Sequence, residues 1–72
     1  MTVATSLSIC VNGEERRVTG GISIADMLSE LGLDQRKVAV ERNLAIIPRS
    51  TLAEVRVEDG DAYEIVHFVG GG

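Results

Sequence analysis

The sequence predicts a small α+β domain in which a mixed sheet of four to five strands carries one helix packed on one face. Three observations support this prediction. The 72 residues suffice for one domain, one segment repeats its apolar residues with a helical period, and several short segments alternate apolar and polar residues as strands do. Because the helix has one apolar stripe, it can cover only one face of the sheet. We expect residues 1–69 to form the domain and residues 70–72 to form a flexible glycine tail.

The chain is expected to begin with a β-hairpin. The segment Leu7-Ser8-Ile9-Cys10-Val11 alternates apolar and small residues, which is typical of a half-buried strand. Asn12-Gly13 follows and is a strong hairpin signal, because both residues tolerate the left-handed backbone of a tight turn. Glu14-Glu15-Arg16-Arg17-Val18 then returns as a charged strand that belongs at a sheet edge.

The helix is predicted from its cap and its apolar spacing. Ser23 is a good N-cap, and Asp26 places an acid in the first turn, where the helix dipole favours negative charge. Gly32 is well placed to end the helix. Apolar residues recur at spacings of three and four between these ends: Ile24, Met27, Leu28 and Leu31.

The second half of the chain contains further short strands. Val38–Arg42 is a compact apolar strand, Asn43 begins a turn, and the apolar run at residues 44–47 is stopped by Pro48, with a loop after it. Residues 52–57 are left as a turn or a short strand. Asp59-Gly60-Asp61 is another turn signal, and residues 62–69 form the last strand. This order of elements matches the β-grasp arrangement of ubiquitin-like domains.

Composition excludes several classes of function. The net charge of −4 argues against nucleic-acid binding, which requires a basic face. No segment is long and apolar enough to span a membrane, and the first six residues lack the features of a signal peptide. We therefore expect a cytoplasmic protein with neither a nucleic-acid nor a membrane partner.

The residue types that usually carry catalysis or bind metals are scarce. The single cysteine excludes an internal disulfide and offers no second thiol for a metal site. Cys10 is predicted to be a small buried hydrophobic residue, in preference to a persulfide carrier. His67 is expected to be structural or simply exposed, in preference to a catalytic acid or base.

The most informative feature is the C-terminal segment Phe68-Val69-Gly70-Gly71-Gly72. Glycine contributes no side chain to a core and has a large entropic cost of ordering, so a run of it stabilises no fold. It can, however, pass through a channel too narrow for other residues. We interpret the Gly72 carboxylate as the reactive group, with Gly70 and Gly71 as the segment that enters a partner protein. The alternative is a frayed terminus without function.

Several segments, taken in order, resemble the ThiS family of thiamine biosynthesis. The resemblance covers residues 7–72, and each matching piece alone is weak. The matching segments are Val11-Asn12-Gly13-Glu14, residues 23–31, Val38-Ala39-Val40-Glu41-Arg42-Asn43, Ile47-Pro48-Arg49-Ser50, Asp59-Gly60-Asp61, Glu64-Ile65-Val66 and Phe68-Val69-Gly70-Gly71-Gly72.

The resemblance implies a sulfur carrier and not an enzyme. A ubiquitin-activating-type adenylating enzyme would use ATP to convert the Gly72 carboxylate into an acyl-adenylate. A sulfur donor protein would then replace the adenylate and leave a thiocarboxylate, from which thiazole synthase would take sulfur for the thiazole ring. No cofactor would be bound by the chain itself, because ATP is used by the partner.

A docking surface is expected beside the tail. Strand alternation places Tyr63, Ile65, His67 and Val69 on one face of the last strand, and Glu64, Val66 and Phe68 on the other. Because Glu64 indicates solvent exposure, Val66 and Phe68 become candidates for partner docking, together with Val69 and Arg49. The alternatives are that Phe68 packs on the edge of its own domain and that Arg49 is simply solvated.

Three other functions remain open at this point. A molybdopterin-type sulfur carrier shares the fold and the tail chemistry, and a ubiquitin-like modifier shares the activation step. A plain interaction module would have an inert tail. One residue added after Gly72 would abolish a carrier's function and leave such a module unaffected.

Overall fold

The computed structural model describes residues 5–68, which form one five-stranded sheet and one α-helix. Residues 1–4 and 69–72 lie outside the described part, so the predictions for Val69, for the tail at Gly70, Gly71 and Gly72 and for the domain boundary there remain predictions. The elements in chain order are β1 (Ser6–Val11), β2 (Glu14–Thr19), α1 (Ile24–Glu30), β3 (Val38–Arg42), β4 (Ala45–Ile47) and β5 (Ala62–His67). Two 3₁₀ turns, Gln35–Lys37 and Arg49–Thr51, precede β3 and follow β4.

The sheet is mixed, and its strand order is β2-β1-β5-β3-β4. The two middle neighbours β1 and β5 are parallel, while all other neighbouring strands are antiparallel. The helix lies in sequence between the β1–β2 hairpin and β3, as a β-grasp fold requires. This confirms the predicted fold class, and β2 is the charged edge strand that the sequence indicated.

Both predicted ends of α1 are present. Ser23 is the N-cap, and its hydroxyl accepts a hydrogen bond of 3.1 Å from the Asp26 backbone N–H. Gly32 follows the helix with φ +78°, a left-handed conformation that glycine adopts without strain. The stripe residues Ile24, Met27 and Leu28 are fully buried against the sheet, so this short helix is held by packing.

The core lies between α1 and one face of the sheet. Successive strand residues point to opposite faces, so only alternate positions enter it. Apart from the three helix residues, its buried apolar members are Ile9, Val11, Val18, Val38, Val40, Leu52, Val57, Tyr63 and Ile65. We call the opposite side, which carries Glu41, Glu64 and Val66, the open face.

The turn that was one of the two alternatives for residues 52–57 is confirmed: these residues form turns with a single bridge from Ser23 to Arg56, and Leu52 among them is buried. Three other sequence predictions need correction. The strand predicted for residues 62–69 ends at His67, and Arg49 lies in a 3₁₀ turn where a loop was expected. Cys10 is only partly buried, because it points away from the core side occupied by its neighbours in β1.

Candidate functional site: the end of the last strand and the open face

The last strand is firmly held up to the point where the described chain ends. β5 pairs with β3 over five residue positions, from Val38 opposite His67 to Arg42 opposite Tyr63. On its other side it is parallel to β1. Beyond the strand, the Phe68 N–H donates a 2.9 Å hydrogen bond to the Lys37 carbonyl. The segment that leads to the C-terminus therefore leaves from the central part of the sheet.

An asparagine side chain extends the hydrogen bonding of β5. The Asn12 side-chain carbonyl accepts a 2.8 Å bond from the Ile65 N–H, and its amide nitrogen donates a 3.0 Å bond to the Ile65 carbonyl. Asn12 has φ +51° and Gly13 has φ +86°, as the predicted hairpin turn requires. The same turn thus reverses the chain and fixes β5, a second role that the sequence analysis did not predict.

A buried carboxylate anchors the beginning of β5. Asp61 is only 6% exposed and accepts hydrogen bonds from the Tyr63 hydroxyl at 2.8 Å and the Glu58 N–H at 2.9 Å. The Asn43 side-chain amide nitrogen also donates a 3.2 Å hydrogen bond to this carboxylate, and an Arg42 guanidinium nitrogen lies 3.6 Å from one of its oxygens. Burial, together with this hydrogen bond to Asp61, raises the pKa of Tyr63. The sequence predicts Asp61 only as a turn residue, because burial of its carboxylate beside Arg42 and Asn43 of the preceding turn leaves no local signal.

Phe68 and Arg49 contact each other next to the start of the tail. The Arg49 guanidinium carbon lies 5.2 Å from the centroid of the Phe68 ring, which is cation–π geometry. The ring nevertheless remains 55% exposed. The ring therefore contacts its own domain and still presents apolar surface, and its role in docking remains a prediction. Arg49 is not a freely solvated cation, and its docking role remains a prediction.

The apolar surface near the tail is larger than the sequence analysis indicated. Val66 is 60% exposed on the open face, which confirms its predicted exposure. Ile46 is 76% exposed, and Leu44 at the tip of the β3–β4 hairpin is 91% exposed. We call Leu44, Ile46, Val66 and Phe68 the apolar patch. The sequence predicted only a short apolar run at residues 44–47, although a strand that shows one face to solvent leaves alternate apolar residues exposed.

Leu44 has an unusual backbone for a large side chain. Its φ is +73°, and that of the preceding Asn43 is +50°, so the two residues form the tight turn between β3 and β4. Asn43 is stabilised there, because its side chain accepts a 2.9 Å bond from the Ala62 N–H and donates to Asp61. Leucine in this conformation is strained, and strained exposed positions are often found at functional sites.

The structure shows no assembled catalytic centre in residues 5–68. His67 is exposed at the end of β5, and partly buried Cys10 lies on β1. Within the same residues no group of three or more histidine, cysteine, aspartate or glutamate side chains could hold a metal ion. A search of this part of the chain also finds no helix with the length and apolarity needed to cross a membrane.

Comparison with known proteins connects this geometry to one family. The model of the ThiS family matches residues 9–72. The sulfur carrier protein ThiS of Bacillus subtilis is 43% identical over 65 residues, which cover 86% of this chain and 96% of that protein. The crystal structure of the thiamine biosynthesis protein ThiS from Geobacter metallireducens superposes with a TM-score of 0.76 at 35% identity, covering 92% of this chain and all of that one.

Longer relatives contain a similar stretch as one part of their sequence. The thiazole synthase of Paramagnetospirillum magneticum is 53% identical over 66 residues, which are 92% of this chain and 20% of that protein. A thiazole synthase of Magnetococcus marinus shows the same coverage at 41% identity. The chain thus spans about a fifth of the length of these two relatives. From the family match, the Bacillus relative and the Geobacter structure together, the chain belongs to the ThiS family.

Proposed function

We propose that this chain is a sulfur carrier, as its Bacillus relative is named, that it serves thiamine biosynthesis, and that it holds its sulfur as a thiocarboxylate on Gly72. The observation that carries the proposal is the end of β5, which pairs with β3 up to His67 and is followed by Phe68, from which the sequence continues as Val69-Gly70-Gly71-Gly72. A fixed strand ahead of residues without side chains suits delivery of a terminal group into a narrow site. Tethering to a folded domain also gives the sulfur a high effective concentration at the acceptor.

The chemistry proposed for the tail needs two steps. A carboxylate is a poor electrophile, so an adenylating enzyme of the ubiquitin-activating type first joins it to AMP from ATP and releases pyrophosphate. A sulfur donor protein that supplies sulfur at the oxidation level of sulfide then attacks the acyl carbon. The C–S bond forms, the bond to AMP breaks, and AMP leaves. ATP is bound and consumed by the activating enzyme, and the chain itself binds no cofactor.

Docking to partners is assigned to the surface beside the tail. Val66 and Phe68 present exposed apolar area, and Arg49 stacks on the Phe68 ring, which leaves guanidinium N–H groups for hydrogen bonds. Val69, Gly70 and Gly71 would enter the partner. Thiazole synthase is the proposed acceptor of sulfur, supported by the two relatives of that name that contain a stretch similar to this chain.

Mass spectrometry tests the proposed tail chemistry. The untagged protein is incubated with ATP, an adenylating enzyme of this pathway and a sulfur source, and its intact mass and C-terminal peptide mass are measured. We expect replacement of one oxygen by sulfur within residues 70–72. Localisation to the peptide is essential, because oxidation of Met27 or Cys10 produces nearly the same gain in mass.

A variant with one alanine added after Gly72 is the matched control and should remain unmodified. An unmodified wild-type tail, with an enzyme shown to be active on another carrier, would refute the proposal. Adducts joined to lysines of other proteins would instead indicate a ubiquitin-like modifier, and sulfur transfer to a molybdopterin precursor would indicate the other pathway.

A further inference from the structure

Two glutamates lie opposite each other on adjacent strands of the open face. Glu41 on β3 is the register partner of Glu64 on β5. Directly opposed residues in an antiparallel pair have Cβ atoms about 5 Å apart, and like charges in this position destabilise a sheet. Within residues 5–68 neither carboxylate forms an ion pair or a side-chain hydrogen bond. The described part of the fold therefore contains two adjacent negative charges and no cation that pairs with them.

Apolar side chains flank this acidic pair on two sides. Ile46 on β4 is the register partner of Glu41, so it flanks the pair on one side. Val66 lies two residues beyond Glu64 on the same face, opposite Ala39. The two glutamates, these three residues and Val40 line a groove of about 150 Å³. Apolar surroundings that exclude water strengthen the attraction between a carboxylate and a cation.

The neighbouring arginines of the chain are engaged elsewhere. Arg42 donates a 3.0 Å hydrogen bond to the Arg56 carbonyl and lies 3.6 Å from Asp61. Arg49 is stacked on Phe68. A cation that neutralises Glu41 and Glu64 would therefore have to come from another molecule.

We propose that Glu41 and Glu64 together accept one cationic side chain that thiazole synthase presents within an otherwise apolar docking surface. The inference rests on the proposed function and adds the residues that select the partner. An arginine suits the site best, because its planar guanidinium has five N–H donors and can bond two carboxylates at once. Neutralisation of two opposed charges by one cation also removes the repulsion present in the free domain. Ile46 and Val66 beside the pair would be covered by the partner in the complex, which would leave little water at this contact.

Calorimetric titration of the full chain with thiazole synthase from the same organism tests the assignment. The double variant Glu41→Gln/Glu64→Gln keeps the size of both side chains and removes both charges. We expect its Kd to rise about tenfold or more and to depend less on salt concentration than that of the wild type. The matched control Glu54→Gln/Glu58→Gln removes two charges from exposed residues outside the open face, and its Kd should change by less than about threefold.

The outcomes separate this inference from the proposed function. Equal binding by the wild type and the Glu41→Gln/Glu64→Gln variant would overturn the inference and leave the partner intact. An equal rise in Kd for both double variants would also overturn the inference, because such a result would indicate a general attraction to negative charge. A wild-type chain that does not bind thiazole synthase, or that self-associates through the open face, would overturn the inference together with the proposed partner. Sulfur loading of Gly72, measured separately, then decides whether the carrier function still stands.

Discussion

The two faces of the sheet are built from the same strands but serve different purposes. On the covered face, Tyr63 and Ile65 of β5 are buried beneath the helix, and Leu28 of the helix is buried against this face. On the open face, Glu64 and Val66 of the same strand face solvent, and Val66 is an exposed apolar residue. Alternation along one strand thus separates the residues needed for folding from those available for binding. Residues that recognise a partner can therefore change on this scaffold without loss of the core.

A pair of alanine substitutions tests this separation and has the largest expected effect. Leu28→Ala on the covered face should lower the free energy of unfolding by about 2–5 kcal/mol, because it leaves a cavity in the core. Val66→Ala on the open face should lower it by less than about 1 kcal/mol, because its side chain is already largely hydrated. Denaturant titrations of the two variants measure both values.

The binding of thiazole synthase should show the opposite order. Val66→Ala is expected to weaken that interaction, and folded Leu28→Ala should bind as the wild type does. Similar losses of stability in the two variants would refute the division between the two faces.

The β3–β4 turn offers a smaller test of the same division. Leu44→Gly should raise the free energy of unfolding by up to about 1 kcal/mol, because glycine accepts the left-handed backbone that strains leucine. The neighbouring substitution Asn43→Gly is the control and should be destabilising by about 1 kcal/mol, because it removes two side-chain hydrogen bonds. Thermal unfolding, monitored by circular dichroism, compares the stability of the two variants. A destabilised Leu44→Gly variant would contradict the idea that this turn is strained.

The smallest expected effect concerns a surface ion pair that belongs to neither face. Hydrogen bonds from the Arg36 side chain and N–H lower the pKa of Asp34 to about 2 from its usual value of 3.8. Because the folded-state pKa is depressed, any stabilisation is fully present above about pH 4 and is lost as the pH falls towards 2. Both groups are exposed to solvent, so salt should weaken the effect.

The pH dependence of Asp34 can be measured residue by residue. An NMR titration of its carboxyl carbon should give a midpoint well below that of free aspartate, and Arg36→Ala should return it towards the usual value. The Asp34→Asn variant should not show the corresponding loss of stability at low pH when its thermal unfolding is measured. A normal midpoint in the wild type would show that the ion pair does not form in solution.

Much of the fold could be predicted from the sequence because the relevant signals are local. The cap at Ser23, the stripe of α1 and the turn at Asn12-Gly13 each depend on residues a few positions apart, and all three predictions are confirmed. The exposure of Val66 followed from alternation along β5. Family membership followed from the order of several weak motifs and is confirmed by the comparisons.

Two features that the sequence did not reveal depend on contacts between distant segments. Asn12 bonds to Ile65, 53 residues away in the chain, and Glu41 faces Glu64 only because β3 and β5 are neighbours in the sheet. The partial burial of Cys10 has a local reason. Alternation in β1 places it on the face opposite Ile9 and Val11, so residue type alone was a poor guide to its burial.

The central position of β5 has a mechanical consequence. On one side β5 pairs with β3 along nearly its whole length, and on the other it bonds to β1 at its beginning and to the Asn12 side chain at Ile65. A force applied at Phe68 along the strand axis is therefore shared by these bonds in shear. An edge strand pulled sideways would instead lose its hydrogen bonds one at a time. A partner that pulls along this axis can thus draw on the end of β5 while the domain behind it stays folded.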